Sequence, residues 1–218
     1  MVSISVTKTF SRVVLLTLGG ILAGSGCRVS NVKPITFPAE YQPMQSGSEI
    51  TTAPACAVFR ELTVVDNRSE GSADGVRTIQ DREGRSDIFM DGDVESWFHA
   101  GVARGLVKSH FPQEPSAGLD LTMKLAAIHV EEVAYRNSTF AGRVIIDVEL
   151  SRTGSGGSVW SHRTDGFAHN YGRPGKTENY QETVNHALDR AVVSAVNNEV
   201  LRQKLCEVTT RATKFDSP

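Results

Sequence analysis

The sequence predicts an α+β domain in which an antiparallel sheet carries two amphipathic helices on one face. Apolar and polar residues alternate in several segments, two other segments have apolar residues at helical spacing, and glycine- or proline-containing turns separate them. The predicted order is strand, hairpin, helix, three strands and helix, or β-(ββ)-α-β-β-β-α. Such a sheet with helices on one side forms the two layers around a single core.

The predicted strands lie in five segments. Residues 57–65 (AVFRELTVV) are rich in β-branched side chains, and residues 75–90 have the composition of a hairpin with a glycine-containing turn. Apolar residues alternate with polar ones over 119–133 and over 140–150. Residues 158–169, which include Trp160, follow a glycine-rich turn and are predicted as a third strand. We expect the last three segments to pair as consecutive antiparallel strands.

The two predicted helices differ in how they begin. The first follows the candidate N-caps Asp91 and Asp93, and the second begins at Asn179, forms a capping box with Glu182 and ends near Leu205. The apolar face of the first helix consists of Val94, Trp97, Phe98, Gly101, Val102, Gly105 and Leu106. Its two glycines indicate close packing of this helix on the sheet.

The first 26 residues have the composition of an export signal. Lys8 and Arg12 precede an apolar run at 13–24, and small residues then lead to Cys27. As a helix, this run would span only about 18 Å, whereas the hydrocarbon layer of a membrane is about 30 Å thick. A short apolar run behind basic residues is typical of a signal peptide rather than of a membrane span.

Residues 23–27, Ala-Gly-Ser-Gly-Cys, resemble the lipobox of bacterial lipoproteins, in which cleavage before a cysteine accompanies its lipidation. The resemblance implies cleavage after Gly26 and a lipid anchor on Cys27. Gly24 departs from the pattern, because leucine usually occupies that position. The alternative is ordinary signal cleavage near Ser25 or Gly26, which would leave a soluble exported chain with a free thiol.

The chain accordingly divides into a signal peptide at 1–26, a lipid-anchored proline-rich linker at 27–55, a single α+β domain at 56–208 and a polar tail at 209–218. The prolines of the linker exclude helix and favour extended chain. A flexible tether of this length would hold the domain about 30 Å from the membrane on average. Alternatively, the first half of the linker lies against the domain as an edge strand.

The charge balance limits the classes of partner. Removing residues 1–26 takes away two of the 23 basic residues and none of the 25 acidic ones, so the net charge becomes −4. A mildly acidic chain without a basic run argues against nucleic acid as a partner and against electrostatic attachment to anionic lipid. We therefore expect membrane contact through the lipid anchor alone.

Two cysteines remain, Cys56 and Cys206. An even number of cysteines in an oxidising compartment favours a disulfide bond. A bridge between them would join the two ends of the predicted domain. It would close a loop of about 150 residues, which stabilises the fold by about 3–5 kcal/mol in the chain-entropy model. The alternative is two reduced thiols.

Candidate catalytic and metal-binding groups are few. Asp66 and Arg68 follow the first predicted strand, where a local salt bridge explains them as well as a functional pair does. His162, Asp165 and His169 carry donor atoms that suit zinc, but the two histidines have opposite parity on a strand and so point to opposite faces. We predict a protein that is not an enzyme, with no catalytic residues, no metal and no cofactor.

The order and spacing of several segments resemble the YajG family of Gram-negative lipoproteins. These segments are NVKPITFP, VVDNRS, GVRTIQDREG, DVESWFHAGVARGL, LDLTMKLAAIHV with FAGRVIIDVEL, and NYQETVNHALDRAV. The resemblance covers nearly the whole chain and implies an envelope lipoprotein. Members of this family are mostly uncharacterised, so it implies no catalytic residues.

The predicted function is therefore that of a membrane-anchored lipoprotein on the periplasmic side of the envelope, acting as a non-enzymatic binding or assembly factor for an envelope protein. Arg28 after the lipidated cysteine, in place of aspartate, favours the outer membrane. The alternative is an accessory lipoprotein of a lipid or lipopolysaccharide transport system. A large apolar cavity between helices and sheet would favour the alternative, and a packed core with a flat apolar surface would favour the binding factor.

Overall fold

A computed structural model describes residues 32–44, 49–69 and 71–215, with side chains described up to Val208. The fold is α+β, with one seven-stranded sheet and three helices, which confirms the predicted class. The predicted signal peptide with its cleavage site at Gly26, and the predicted lipidation site at Cys27, lie outside the described residues and stay predictions. Within the described residues, no helix combines the length and hydropathy that a membrane span requires.

The strands are β1 (Ile35–Pro38), β2 (Leu62–Asp66), β3 (Gly75–Ile79), β4 (Gly84–Asp91), β5 (Leu119–Ala134), β6 (Ser138–Arg152) and β7 (Ser158–Gly172). The helices are α1 (Val94–Lys108), α2 (Thr177–Val196) and α3 (Glu199–Phe215). The predicted hairpin is present as β3 and β4, and the three long segments predicted as strands form β5, β6 and β7.

The sheet is mixed rather than antiparallel throughout. Its order is β1-β4-β3-β5-β6-β7, and β2 also pairs with β5. Strands β5, β6 and β7 are antiparallel neighbours, as predicted. Strands β2 and β3 follow one another along the same edge of β5 and run in the same direction, so both are parallel to it. The predicted all-antiparallel pairing is therefore wrong for these strands.

The segment predicted as a linker contributes a strand and a surface segment. β1 pairs in parallel with β4. Phe37 of this strand is buried in the core, where its ring packs beside that of Tyr180. The chain after β1, residues 39–44 and 49–55, crosses the helices, and we call it the strap. Arg202 Nη2 donates to the carbonyl of Thr51 at 2.6 Å, so the strap is held to the helical layer. From residue 35 onward this segment belongs to the folded domain, as in the edge-strand alternative.

The last predicted helix is two helices. α2 begins at Thr177 and ends at the C-cap Asn197, and the side chain of Asn198 accepts from the backbone N–H of Leu201 in the first turn of α3. The predicted capping box at Asn179 and Glu182 is wrong, because the N-cap position is Lys176 and it makes no side-chain hydrogen bond. α3 continues to Phe215, into the predicted polar tail.

Helices α1 and α2 pack on the sheet and on each other at glycine contacts. The two glycines of α1 face α2 rather than the sheet, since a Cβ on Gly101 would lie 2.6 Å from a methyl carbon of Leu188. On β7, a Cβ on Gly166 would lie 2.1 Å from the carbonyl oxygen of Ala187. Glycine therefore lets the backbone of α2 approach β7 and lets side chains of α2 pack directly on the backbone of α1.

A disulfide bond joins Cys56 to Cys206, the pair proposed from the sequence. Their Cα atoms lie 4.7 Å apart across a sequence separation of 150 residues. The bond attaches the end of the strap to α3. In the chain-entropy model, closing so long a loop stabilises the fold by about 3–5 kcal/mol.

Candidate binding surface

The two faces of the long strands have different surroundings. One face is covered by the helices, and we call the other, which no helix covers among the described residues, the open face. Its side chains come from alternate positions of β5, β6 and β7 and include Lys124, His129, Glu131, Ala141, Arg143, Asp147, Glu149, Arg163, Asp165, Phe167, His169 and Tyr171. Alternation places these residues on one surface, because strand side chains have a period of two.

Ion pairs cross between neighbouring strands over part of the open face. They are Lys124 with Glu149 at 2.8 Å, Asp147 with Arg163 at 2.7 Å, and Arg143 with Asp165 at 2.8 Å. The hydrogen bond from the Arg163 guanidinium holds the pKa of Asp147 below its ordinary value, and that from Lys124 does the same for Glu149. These groups are solvated, so each pair contributes about 1 kcal/mol or less to stability.

Beside the ion pairs, the open face has an aromatic depression. It encloses about 380 Å³, and its lining includes Ala141, His129, Arg143 and Phe167. Phe167 is 46 % exposed and meets the ring of His169 edge-on at 4.4 Å. The depression therefore lies between an aromatic ring and polar groups, above the small side chain of Ala141.

The outer edge of the sheet is β7. This strand has 15 residues, and within the described chain only β6 pairs with it. On its other side, the carbonyl of Phe167 accepts from Arg190 Nη1 and the backbone N–H of Tyr171 donates to Asn170 Oδ1. No strand among the described residues pairs with this side of β7, which also carries the exposed side chains of Val159, Phe167 and Tyr171. An open edge of this kind accepts an additional strand from another chain.

A buried carboxylate, Glu132, joins several elements on the covered face. Its side chain is fully buried, and Arg77 Nε lies 2.7 Å from Glu132 Oε2 as an ion pair outside hydrogen-bond geometry. The carboxylate also accepts from the hydroxyls of Ser138 and Tyr180 and from the backbone N–H of Gly175. Burial, followed by the hydrogen bond to Glu132, raises the pKa of Tyr180, so its hydroxyl stays a donor. The cluster fixes the β7–α2 connection to the sheet.

Sequence reasoning missed this cluster, although a signal was present. Val130, Glu132 and Ala134 occupy consecutive inward positions of β5. A charged residue at an inward position of an alternating strand requires a buried partner. The partner, Arg77, comes from β3, and only the parallel pairing of β3 with β5 brings the two side chains together.

Asp66 and Arg68, considered above either as a local salt bridge or as a functional pair, form a local salt bridge. Arg68 donates from Nε and Nη2 to the carboxylate of Asp66 at 3.0 and 2.9 Å, and its Nη1 donates to Asp74. Asp74 also accepts from the backbone N–H of Met90. Burial raises the pKa of Asp74, although its partners act in the opposite direction. The cluster lies where the chain passes from β2 to β3.

The histidine pair considered for zinc is separated by the sheet. His162 pairs in register with Val148, a residue of the covered face, and stacks against Trp160. His169 and Asp165 lie on the open face, where Asp165 is already paired with Arg143. The two histidines therefore do not meet.

The contact between α1 and α2 is sealed by the strap. Tyr41 donates to Asp189 Oδ1 at 2.5 Å, and the backbone N–H of Met44 donates to Oδ2 at 2.7 Å. Burial and the hydrogen bond to Asp189 raise the pKa of Tyr41 to about 12. The cavity between the helices beneath the strap holds only about 30 Å³, close to the volume of one water molecule. An acyl chain does not fit in it.

No protein-family model matches the chain, and no curated protein matches its sequence. Among solved structures, it is similar to a Xanthomonas campestris protein of family DUF330 at 10 % identity, covering 83 % of this chain and 99 % of that one with a TM-score of 0.49. A candidate lipoprotein from Caulobacter crescentus is 16 % identical over 56 % of this chain and 86 % of that one, with a TM-score of 0.31. A candidate homologue of the neuraminyllactose-binding hemagglutinin from Helicobacter pylori is 10 % identical over 77 % and 98 %, with a TM-score of 0.39. The resemblance to the YajG family stays a prediction.

Proposed function

We propose that this protein is a lipid-anchored lipoprotein of the bacterial envelope, on the periplasmic side and attached to the outer membrane, that acts as a non-enzymatic binding or assembly factor. The observation that carries the proposal is a sheet with one face filled by helices, whereas no helix or strand among the described residues covers the other face or pairs with the outer side of β7. A bare face on a fully packed core is available to a partner without loss of stability. Lipidated Cys27 would keep that surface at the membrane.

The carboxylates of the fold support binding rather than catalysis. Glu132 is enclosed, and its oxygens are engaged by an arginine, two hydroxyls and a backbone N–H. Asp74 is engaged by Arg68 and a backbone N–H. On the open face, Asp147, Glu149 and Asp165 are paired with basic side chains in contact with water. Groups held in this way stabilise and orient the sheet.

The partner is a protein that presents an extended segment to β7. Backbone hydrogen bonds along the edge would supply affinity, and side chains at alternate positions of the added strand would contact the open face. Phe167 and the depression beside it would receive an apolar residue of that strand. The transport alternative receives no comparable support. The space between the helices beneath the strap is about 30 Å³, and the larger depression between the strap and α2, about 690 Å³, is lined mostly by polar side chains.

The anchor is tested by the intact mass of protein extracted from membranes, measured beside a Cys27→Ala variant. We expect a chain that begins at Cys27 and carries two or three acyl chains, and an alanine variant without them. An unmodified chain that is equally soluble in both forms would remove the anchor from the proposal.

The binding surface is tested by a photo-crosslinking amino acid at position 167, with position 107 as the control. Both side chains are exposed, but Phe167 lies on β7 and Val107 lies at the end of α1. We expect position 167 to capture one envelope protein in cells and position 107 not to capture it. Equal capture from both positions, or capture from position 107 alone, would contradict the proposed surface.

A further inference from the structure

One end of the sheet gathers turns that are far apart in the sequence. Ile79 is the register partner of both Gly84 and Ala134, Ala134 is that of Ser138, and Ser138 is that of Gly172. These residues form a row across β4, β3, β5, β6 and β7. Strands lie about 4.8 Å apart, so the row is about 19 Å wide, and the turns next to it lie side by side.

This end, which we call the basic end, carries an excess of positive charge. Its basic residues are Lys33, Arg82, Arg85, Arg136, Arg173 and Lys176, and its acidic residues are Asp81, Glu83 and Glu178. All six basic side chains are exposed, and none forms an ion pair with another described residue. The whole chain has a net charge of −2, so the positive excess is local.

Two exposed tyrosines lie among these charges. Tyr135 is 58 % exposed in the β5–β6 turn, and Tyr171 is 76 % exposed near the end of β7. The guanidinium of Arg136 lies over the ring of Tyr135, 5.7 Å from its centre. Tyrosine is enriched where proteins meet the headgroup layer of a membrane, because its ring is apolar and its hydroxyl is polar.

The chain that leads to Cys27 leaves the fold at the same end. Ser86 Oγ donates to the carbonyl of Lys33 at 2.8 Å, so the backbone is held from Lys33 onward. Only six residue steps separate Lys33 from Cys27. Their fully extended length is about 20 Å, so a lipid on Cys27 could not hold the basic end farther than this from the bilayer.

We propose that the basic end rests on a bilayer surface that contains anionic lipids. Its arginines and lysines contact lipid phosphates, and Tyr135 and Tyr171 enter the headgroup layer. The orientation rests on the proposed anchor at Cys27, whereas the charge and the tyrosines do not depend on it. In this orientation the strands point away from the membrane, and β7 extends from the membrane surface into the periplasm.

The test uses a mature chain that begins at Arg28 and lacks the anchor, so its result does not depend on lipidation. The described residues begin at Val32, so this chain keeps every described contact. Tyr135→Trp reports on the basic end, and Val107→Trp reports on the opposite end. Each is titrated with vesicles of brominated phosphatidylglycerol or brominated phosphatidylcholine beside the parent chain, which has two tryptophans of its own. Quenching by bromine in excess of that of the parent measures proximity of the added tryptophan to the acyl chains.

We expect quenching at position 135 but not at position 107, with phosphatidylglycerol but not with phosphatidylcholine. About 1 M salt should abolish it, because the Debye length is then about 3 Å. Reversing Arg82, Arg136 and Arg173 to glutamate should weaken vesicle binding at least about 100-fold, since each basic residue at an anionic surface contributes about fivefold. The matched control reverses Lys108 and Arg152, which are exposed at the opposite end, and should leave binding unchanged.

Absence of quenching at position 135 in anionic vesicles would overturn the proposal and leave this end free for a protein. Equal quenching at positions 135 and 107, or equal binding to phosphatidylcholine, would also overturn it. The mass measurement at Cys27 is separate. An unlipidated chain whose basic end still binds anionic vesicles would retain this inference and refute the anchor.

Discussion

The covered face and the open face of the sheet are built from the same strands, yet the side chains of one form the core and those of the other lie at the surface. On β6, Val144 and Ile146 are fully buried under the helices. Arg143, the residue before Val144, is exposed and paired with Asp165. Because side chains alternate, one step along a strand changes a residue from core to surface. The buried contacts that stabilise the fold are therefore concentrated on one face, and the other face is the one proposed to bind a partner.

The largest difference between the faces should appear when a carboxylate is neutralised on each. Glu132→Gln leaves Arg77 without its counter-charge in a buried site, so we expect a loss of about 3–5 kcal/mol of unfolding free energy. The measurement is urea denaturation followed by circular dichroism. A loss below about 1 kcal/mol would mean that the buried cluster is not a stabilising centre.

A methyl group added on the covered face should have the next largest effect. In Gly166→Ala the new Cβ would meet backbone atoms of Ala187 and Ala191 at 2.1 and 2.2 Å, so α2 must move away from β7. Overpacking of this kind costs about 3 kcal/mol. The control is Gly157→Ala, whose nearest atom lies 3.8 Å away, and its stability should stay within about 0.5 kcal/mol of the parent. Equal losses in both variants would refute the close contact.

The substitution on the open face that corresponds to Glu132→Gln is Asp147→Asn. Its bond to Arg163 is solvated, so we expect a loss of at most about 1 kcal/mol in the same denaturation assay. Capture of the envelope partner by the crosslinker at position 167 is measured in parallel. A loss as large as that of Glu132→Gln would contradict the division of roles between the faces.

The smallest expected effect is the pH dependence of the stability that the ion pair between Asp147 and Arg163 contributes. The pKa of Asp147 is lowered in the fold, so its contribution is present above the unfolded pKa, near 4, and is lost as the pH falls through the folded pKa. The stability difference between parent and Asp147→Asn should therefore shrink below about pH 4. The contribution of Asp74 to stability has the opposite pH dependence. Burial raises the pKa of Asp74 in the fold, so its ionisation lowers the free energy of unfolding as the pH rises from about 4 through the folded pKa. A difference between parent and variant that stays constant below pH 4 would count against the ion pair.

The parts of the fold that could be predicted are those governed by local periodicity. The alternation over β5 and β6 and the apolar stripe of α1 each depend only on the residues of the element itself. β1 was less evident, because four residues that end in Pro38 carry little periodic signal and pair only with β4. The break between α2 and α3 at Asn197 interrupts an apolar pattern that continues on both sides.

The surfaces were harder to predict than the elements, because they depend on which turns meet. The basic residues of the basic end are spread from Lys33 to Lys176, so no run of positive charge marks them. The sequence therefore argued against electrostatic contact with lipid, and only the register of the strands brings these residues together. Cys56 and Cys206, by contrast, were paired by simple counting.

The disulfide has a mechanical consequence for a chain held at its N-terminus. A pulling force would enter at Lys33 and load β1, whose contact with β4 is only four residues long. The chain from Lys33 to Cys56 has 23 residue steps, so its fully extended length is about 80 Å, at about 3.5 Å per residue. Cys56 would then pass the load directly to α3, so the bond acts as a stop that protects the rest of the sheet from the pull.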